Sequence, residues 1–331
     1  MRLAFAAAVL ACATAPVLAN DTTAELRTGG LVFTKTADVE MRAEDLFVSE
    51  KEVRVAYRFF NASAQDVAVT VAFPMPDITI EENGNVSIPL DTSDNFLGFS
   101  VLAGGVPVAA ALEQHALAGD KDVTEQLKTL GIPAANYLKS TGQALDRLPR
   151  VQWDALVAAN IAGIEEYDDT GKGLKQHLAP RWTLKSAYHW QQTFPAGKEI
   201  EIKHRYRPGV GGTVQTSLAA GGANEAETKK KYCAEASLVT ALAKAKAAAK
   251  QEYGPPYSEA WLSYVLTTGA NWAAPIKDFR LVIDKGEARN LVSFCIGGAK
   301  KISATQFEIR RSGFLPKEDL DILILKPFPK Q

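Results

Sequence analysis

The sequence predicts a mainly β, α+β fold: two antiparallel sandwich-like domains, the first with a helical insertion, the second opening on a long Ala/Lys-rich helix. Three observations carry this. Apolar residues alternate at period two through Glu52–Phe73 and again through Ser186–Tyr206, as in strands with one buried face. Between them, from about residue 113 to 180, the period turns helical. Ala226–Tyr253 is dense in alanine and lysine and stops at Gly254-Pro255-Pro256, a helix with a hard end.

Taken in order, Leu31-Val32-Phe33 and Leu46-Phe47-Val48 are short apolar runs of strand type. Val53, Val55, Tyr57 and Phe59 then alternate with Arg54, Ala56 and Arg58. Asn61-Ala62-Ser63 supplies a turn, and Val67, Val69, Val71 and Phe73 alternate until Pro74 and Pro76, which predicts a hairpin. Phe96–Val101 is a further strand. Asp122 and Glu125 are spaced like a capping box, with Gly131-Ile132-Pro133 as the stop. A second helix starts at Pro149, with Leu148, Gln152, Leu156 and Ala159 at helical spacing. Tyr188, Trp190 and Phe194, the turn Pro195-Ala196-Gly197, and Ile200, Ile202, His204 and Tyr206 read as a second hairpin. The Gly-rich stretches Pro208–Gly212 and Ala219–Ala223 place a boundary near 220, giving domains 20–220 and 221–331. Trp261–Leu266, Phe279–Ile283, Leu291–Cys295, Phe307–Ile309 and Ile322–Leu325 complete the second domain as strands.

The start of the chain sets its expected location. Met1-Arg2, the apolar stretch Leu3–Ala11 and Pro16-Val17-Leu18-Ala19 have the form of a secretory signal peptide over residues 1–19, cleaved after Ala19. A periplasmic protein is therefore expected. Val9-Leu10-Ala11-Cys12 offers an alternative, a lipoprotein box that leaves Cys12 lipidated, although Leu10 fits its position there poorly. No later segment has the roughly 20 apolar residues that span a bilayer.

Composition is that of an ordinary globular protein. Of 331 residues, 47% are hydrophobic and 23% charged, with a formal net charge of −1. No overall basic field exists to collect nucleic acid. Cleavage leaves Cys233 and Cys295, and two cysteines in an oxidising compartment favour one disulfide over two buried thiols. Closing a loop of about 60 residues contributes about 4 kcal/mol in the chain-entropy model.

Five segments carry a family likeness: LVFTKTADVEMRAEDL (Leu31–Leu46), VAFPMPDI (Val71–Ile78), NLVSFC (Asn290–Cys295), KISATQFEIR (Lys301–Arg310) and DLDILILKP (Asp319–Pro327). They resemble the bacterial family known as domain of unknown function 4424, over essentially the whole mature chain. That resemblance implies an exported protein and carries no activity or catalytic residues with it. YRFFNASAQDVAVTVAFPMP and FPAGKEIEIKHRYRP also resemble parts of the vault protein inter-alpha-trypsin domain, a β-sandwich adhesion and scaffold module, which speaks to the fold.

Reactive constellations are scarce. His115, His177, His189 and His204 form no metal-ligand spacing. A hairpin pairing Phe194 with Glu199 sets His189 opposite His204, a metal or pH site. The register pairing Phe194 with Ile200 sets Trp190 opposite His204 instead, keeps one apolar face intact and is preferred. Glu165-Glu166-Tyr167-Asp168-Asp169 lacks the central glycine of a calcium loop and reads as a solvated loop, as does Asp91–Asn95. Lys229, Lys230, Lys231, Lys244, Lys246 and Lys250 read as the wet face of a helix rather than a lipid- or polymer-binding face. Gly209, Gly211 and Gly212 fit no phosphate loop, and neither G-x-S-x-G nor H-E-x-x-H is present. Trp190 and Trp261 sit in strand patterns, while Trp182 and Trp272 flank element ends and could line a ligand groove.

The reading is thus a periplasmic, non-enzymatic binding or interaction module. Its partner would be an envelope protein or a small ligand, with no cofactor, metal or catalytic residue assigned. The alternative is a cell-envelope hydrolase with dispersed acidic residues, since catalytic triads are recognised by geometry and not by spacing.

Overall fold

A strand with one apolar face must bury that face against a second layer. Here three sheets share the task. The computed structural model describes residues 22–27, 30–75, 77–80, 86–90, 92–168, 171–222, 224–249 and 254–329. The leader and cleavage site expected over residues 1–19 lie outside the described residues.

The scaffold is a long eight-stranded sheet. Its order is Lys300–Lys301, Gln306–Phe314, Ile276–Asp284, Val39–Ser49, Val53–Asn61, Glu199–Tyr206, Ser100–Ala103 and Val106–Val108. Neighbours run antiparallel except at the middle, where Ile276–Asp284 pairs parallel with Val39–Ser49. The sheet therefore unites strands from both sides of residue 220.

Its inner face carries Leu46, Val55, Tyr57, Phe59, Ile202, Leu281 and Ile283, all buried. A seven-stranded sheet containing Val67–Pro74 and Thr183–Phe194 packs on this face, where Phe59 meets Phe194 at 5.6 Å and Trp190 meets His204 at 5.5 Å. A five-stranded sheet containing Tyr257–Tyr264 and Leu320–Pro327 packs on it too, and the Tyr57 and Tyr264 hydroxyls lie 3.0 Å apart. One continuous apolar core joins all three sheets. The fold is mainly β, α+β and sandwich-like, as the alternation predicts.

Two expected hairpins are corrected. Val53–Asn61 and Val67–Pro74 belong to different sheets, as do Thr183–Phe194 and Glu199–Tyr206. Each turn carries the chain across the sandwich, so His189 and His204 do not face each other in either register considered. Asn61, fully buried, locks the two crossings together. Its amide donates to Gln65 O at 2.7 Å and Phe194 O at 2.8 Å. The Gly197 amide returns a bond to Asn61 O at 3.1 Å.

The helical insertion is real but mixed. Helices Thr124–Thr129, Lys139–Asp146 and Arg150–Ala158 stack on the hairpin Ala162–Tyr167/Lys175–Pro180, around a small core of Leu127, Leu145, Trp153, Leu156, Leu178 and Trp182. The segment expected as one helix over 226–253 is two, Glu225–Lys231 and Ala236–Ala248. The break is at Cys233, whose φ of 49° is left-handed. Cys233 is bonded to Cys295, which directly follows Leu291–Phe294, an edge strand of the five-stranded sheet. Leu242 and Tyr232 pack with Leu323 and Leu325 on that sheet's outer face.

Candidate functional site: a cationic groove on the long sheet

Because the inner face of the long sheet takes the core, its outer face takes every second residue of the same strands. On Val53–Asn61 these are Arg54, Ala56 and Arg58; on Glu199–Tyr206 they are Glu201, Lys203 and Arg205. Register then builds rows. Arg280 lies beside Asp45, Asp45 beside Ala56, and Ala56 beside Lys203. One row on, Val282, Phe47, Arg54, Arg205 and Ser100 are neighbours.

Ala56 is the smallest side chain in its row, and the long residues around it leave a groove of about 610 Å³ over Ala56, Val282 and Phe47, bordered by Arg54, Lys203, Arg205, Arg280 and Asp45. It continues into a cleft of about 990 Å³ at the strand ends. Phe47, Ser100 and Arg205 line both. The cleft adds the turn Ser49–Glu52, Arg207, the loop Asp284–Asn290 and Lys326. Together the two are lined by eight lysines and arginines against five aspartates and glutamates. The chain as a whole is at −1, so the cation excess is local.

The charges are organised in pairs. Glu52 lies 3.1 Å from Arg54 Nε and 2.9 Å from Arg205 Nη2, bridging two arginines on adjacent strands. Both Asp45 oxygens accept from Arg280 Nη1, at 2.9 and 3.1 Å, while Arg280 Nε donates to Glu308 at 2.8 Å. Glu50 pairs with Lys326. Ser49 fixes the turn that carries Glu50 and Glu52, its hydroxyl donating to Glu52 O at 3.0 Å and accepting from the Glu52 amide at 3.1 Å. Arg54 lies over the Phe47 ring at 4.5 Å, and Arg42 over Phe60 at 3.3 Å.

The far wall is the loop Asp284–Asn290, tied by hydrogen bonds within itself. Burial works against the Asp284 carboxylate, but bonds from Gln306, the Gly286 amide and Thr305, together with the Lys51 charge, hold its pKa below the usual range. Burial and the charge of Lys301 lower the pKa of Lys285. Its ammonium donates to Ala288 O at 2.7 Å and to Asn290 O, which closes the loop on itself.

The residues singled out by sequence lie elsewhere. Trp182 is fully buried in the insertion core, its Nε1 donating to Ala134 O at 2.7 Å. Trp272 sits in the main core, 4.3 Å from Phe59. Neither lines the groove, and they share no core cluster. In the acidic run, Glu165 and Glu166 are strand residues, and the Asp168 carboxylate accepts amides of Gly171, Lys172 and Gly173; Asp169 lies outside the described residues, as do Asp91 and Lys250. Among the described residues no group of three His, Cys, Asp or Glu is placed to hold a metal ion. His177 Nδ1 lies 2.7 Å from Asp146, under the Tyr167 ring, and its Nε2 has no hydrogen-bond partner among the described residues. The groove residues were hidden because apolar periodicity sets aside the outward positions. The available signal was the outward cation Arg54 on one strand and the outward pair Lys203-x-Arg205 on another.

A family model matches residues 19–323. The chain belongs to the family described as domain of unknown function (DUF4424). No curated protein sequence matches it. Among solved structures it is similar to a Legionella pneumophila protein described as a "putative nutrient binding protein", at 14% identity and a TM-score of 0.45, covering 93% of this chain and 70% of that one. An M1 zinc metallopeptidase from Deinococcus radiodurans aligns at 6% identity and a TM-score of 0.24, over 88% of this chain and 43% of that one. Among the described residues no helix is long and apolar enough to cross a membrane.

Proposed function

We propose that this member of the family is a periplasmic, non-enzymatic binding module that takes its ligand in the groove and cleft of the long sheet. The observation that carries this reading is the continuity of the two hollows through Phe47, Ser100 and Arg205, on a sheet whose other face is wholly committed to the core. The exposed side chains of Arg54 and Arg205, 54% and 71% accessible, border the groove. Export is supported by the signal-peptide form of residues 1–19 and by the Cys233–Cys295 disulfide, a bond that persists in oxidising compartments.

Native mass spectrometry of protein released gently from a bacterial periplasm, beside its denatured mass, tests the reading. The expected result is a small discrete added mass in the wild type that Arg205→Ala and Lys203→Ala each weaken. An added mass retained unchanged by both variants would place the ligand elsewhere and overturn it.

A further inference from the structure

The bridge at Glu52 has a feature that a simple structural ion pair does not need. Arg54 and Arg205 are direct cross-strand partners, and like charges in that relation repel. Something anionic must sit between them, and the carboxylate of Glu52 does. Yet the fit is incomplete. Glu52 Oε2 is buried and lies 2.9 Å from Arg205 Nη2, but among the described residues no donor is aligned to hydrogen-bond it. The guanidinium of Arg205 thus keeps donors for another acceptor, and a guanidinium fork matches phosphate or carboxylate oxygens in pairs.

The surroundings narrow the ligand further. A neutral sugar is usually held on an open aromatic face, but Arg54 covers Phe47 and Arg42 covers Phe60 on this sheet. The cations around the cleft outnumber the carboxylates, and Lys51 and Arg207 also line it. Resting on the reading of the groove as the binding surface, we propose that the ligand carries an oxyanion, phosphate or carboxylate, that displaces Glu52 from between Arg54 and Arg205. Glu52 is then a built-in competitor. It bridges the two arginines when no ligand is bound and sets how tightly the anion is held.

The test is titration calorimetry of the full mature chain with three probes: pyrophosphate, citrate and neutral glucose. The first two separate phosphate from carboxylate chemistry, and glucose controls for uncharged ligands. One of the anions should bind, glucose should not, and Glu52→Gln should tighten the anion about fivefold, the scale of one partly exposed ion pair. Arg205→Ala should weaken it at least as much. Glu125→Gln removes the same charge from a distant helix of the insertion, and it should leave affinity unchanged if Glu52 acts locally. Circular dichroism melts confirm that each variant is folded.

If Arg205→Ala weakens binding but Glu52→Gln does not tighten it, the competitor role fails while the groove reading stands. If Glu125→Gln tightens binding as much as Glu52→Gln, the effect is net charge and the competitor role again fails. If neither anion binds wild type or Glu52→Gln, the oxyanion assignment is wrong. The groove reading is judged separately, by the retained mass that depends on no added anion.

Discussion

Asn61 shows what a single residue can say in advance. Its sequence context, Asn61-Ala62-Ser63, signals a turn, and a turn is there. Its carboxamide oxygen accepts from the Ser63 amide at 2.9 Å and hydroxyl at 2.8 Å, the local bonding that suits Asn to turns. What the sequence did not carry is the other end of the amide, which reaches Phe194 O more than a hundred positions away. Alternation reports which side of a strand is buried and is silent on which sheet the strand joins. His115 illustrates the same limit. Nothing in the spacing singles it out, yet its two ring nitrogens lie 2.7 Å from Asp122 and 2.7 Å from Glu113. Burial alone would lower its pKa, but the hydrogen bonds and charges of those two carboxylates raise it above 6.5. A raised folded-state value means that the stabilisation is complete below the unfolded pKa of about 6.5 and is lost as pH rises through the folded value. The melting temperature should therefore contain a component that falls across that upper range and vanishes in His115→Gln. An imidazole titration by NMR with its inflection at or below 6.5 would contradict this.

At the scale of elements, the apolar period located strands and helices well wherever one face is buried, and failed where tertiary ties override propensity. Ala/Lys composition favours an unbroken helix through residue 233. Instead Tyr232 turns into the core at 5% exposure, Ser293 Oγ donates to Tyr232 O at 2.9 Å, and Cys233 leaves the helix toward Cys295. The Ala236–Ala248 helix beyond the break buries only Leu242, so packing alone holds it weakly. Cys295→Ser should lower stability by as much as about 4 kcal/mol in denaturant unfolding. Hydrogen exchange should accelerate first in Glu225–Ala248. Equal exchange rates there in variant and wild type would show that the bond does not hold these helices.

The whole molecule is organised by a pairing that no local signal announces. A parallel neighbour needs no turn, so Ile276–Asp284 beside Val39–Ser49 leaves no mark in either stretch of sequence. The groove inherits that invisibility, because Asp45 and Arg280 meet only through this pairing. Residues 20–220 expressed alone test a domain division near 220. The fragment lacks both the partner of Val39–Ser49 and the Tyr264 hydroxyl against Tyr57. We expect a broad, non-cooperative melt by circular dichroism, whereas a sharp two-state transition would establish an independent first domain.

The same seam sets a clock. Asp45 and Arg280 are 235 residues apart, and a ribosome adds about 5–20 residues per second. For a time on the order of ten to fifty seconds, the middle strand of the long sheet has been made and its parallel partner has not. Its open edge is then a template for pairing with other chains. A chain bound for export passes that interval before translocation, so a holding chaperone that keeps it unfolded would be of most use there.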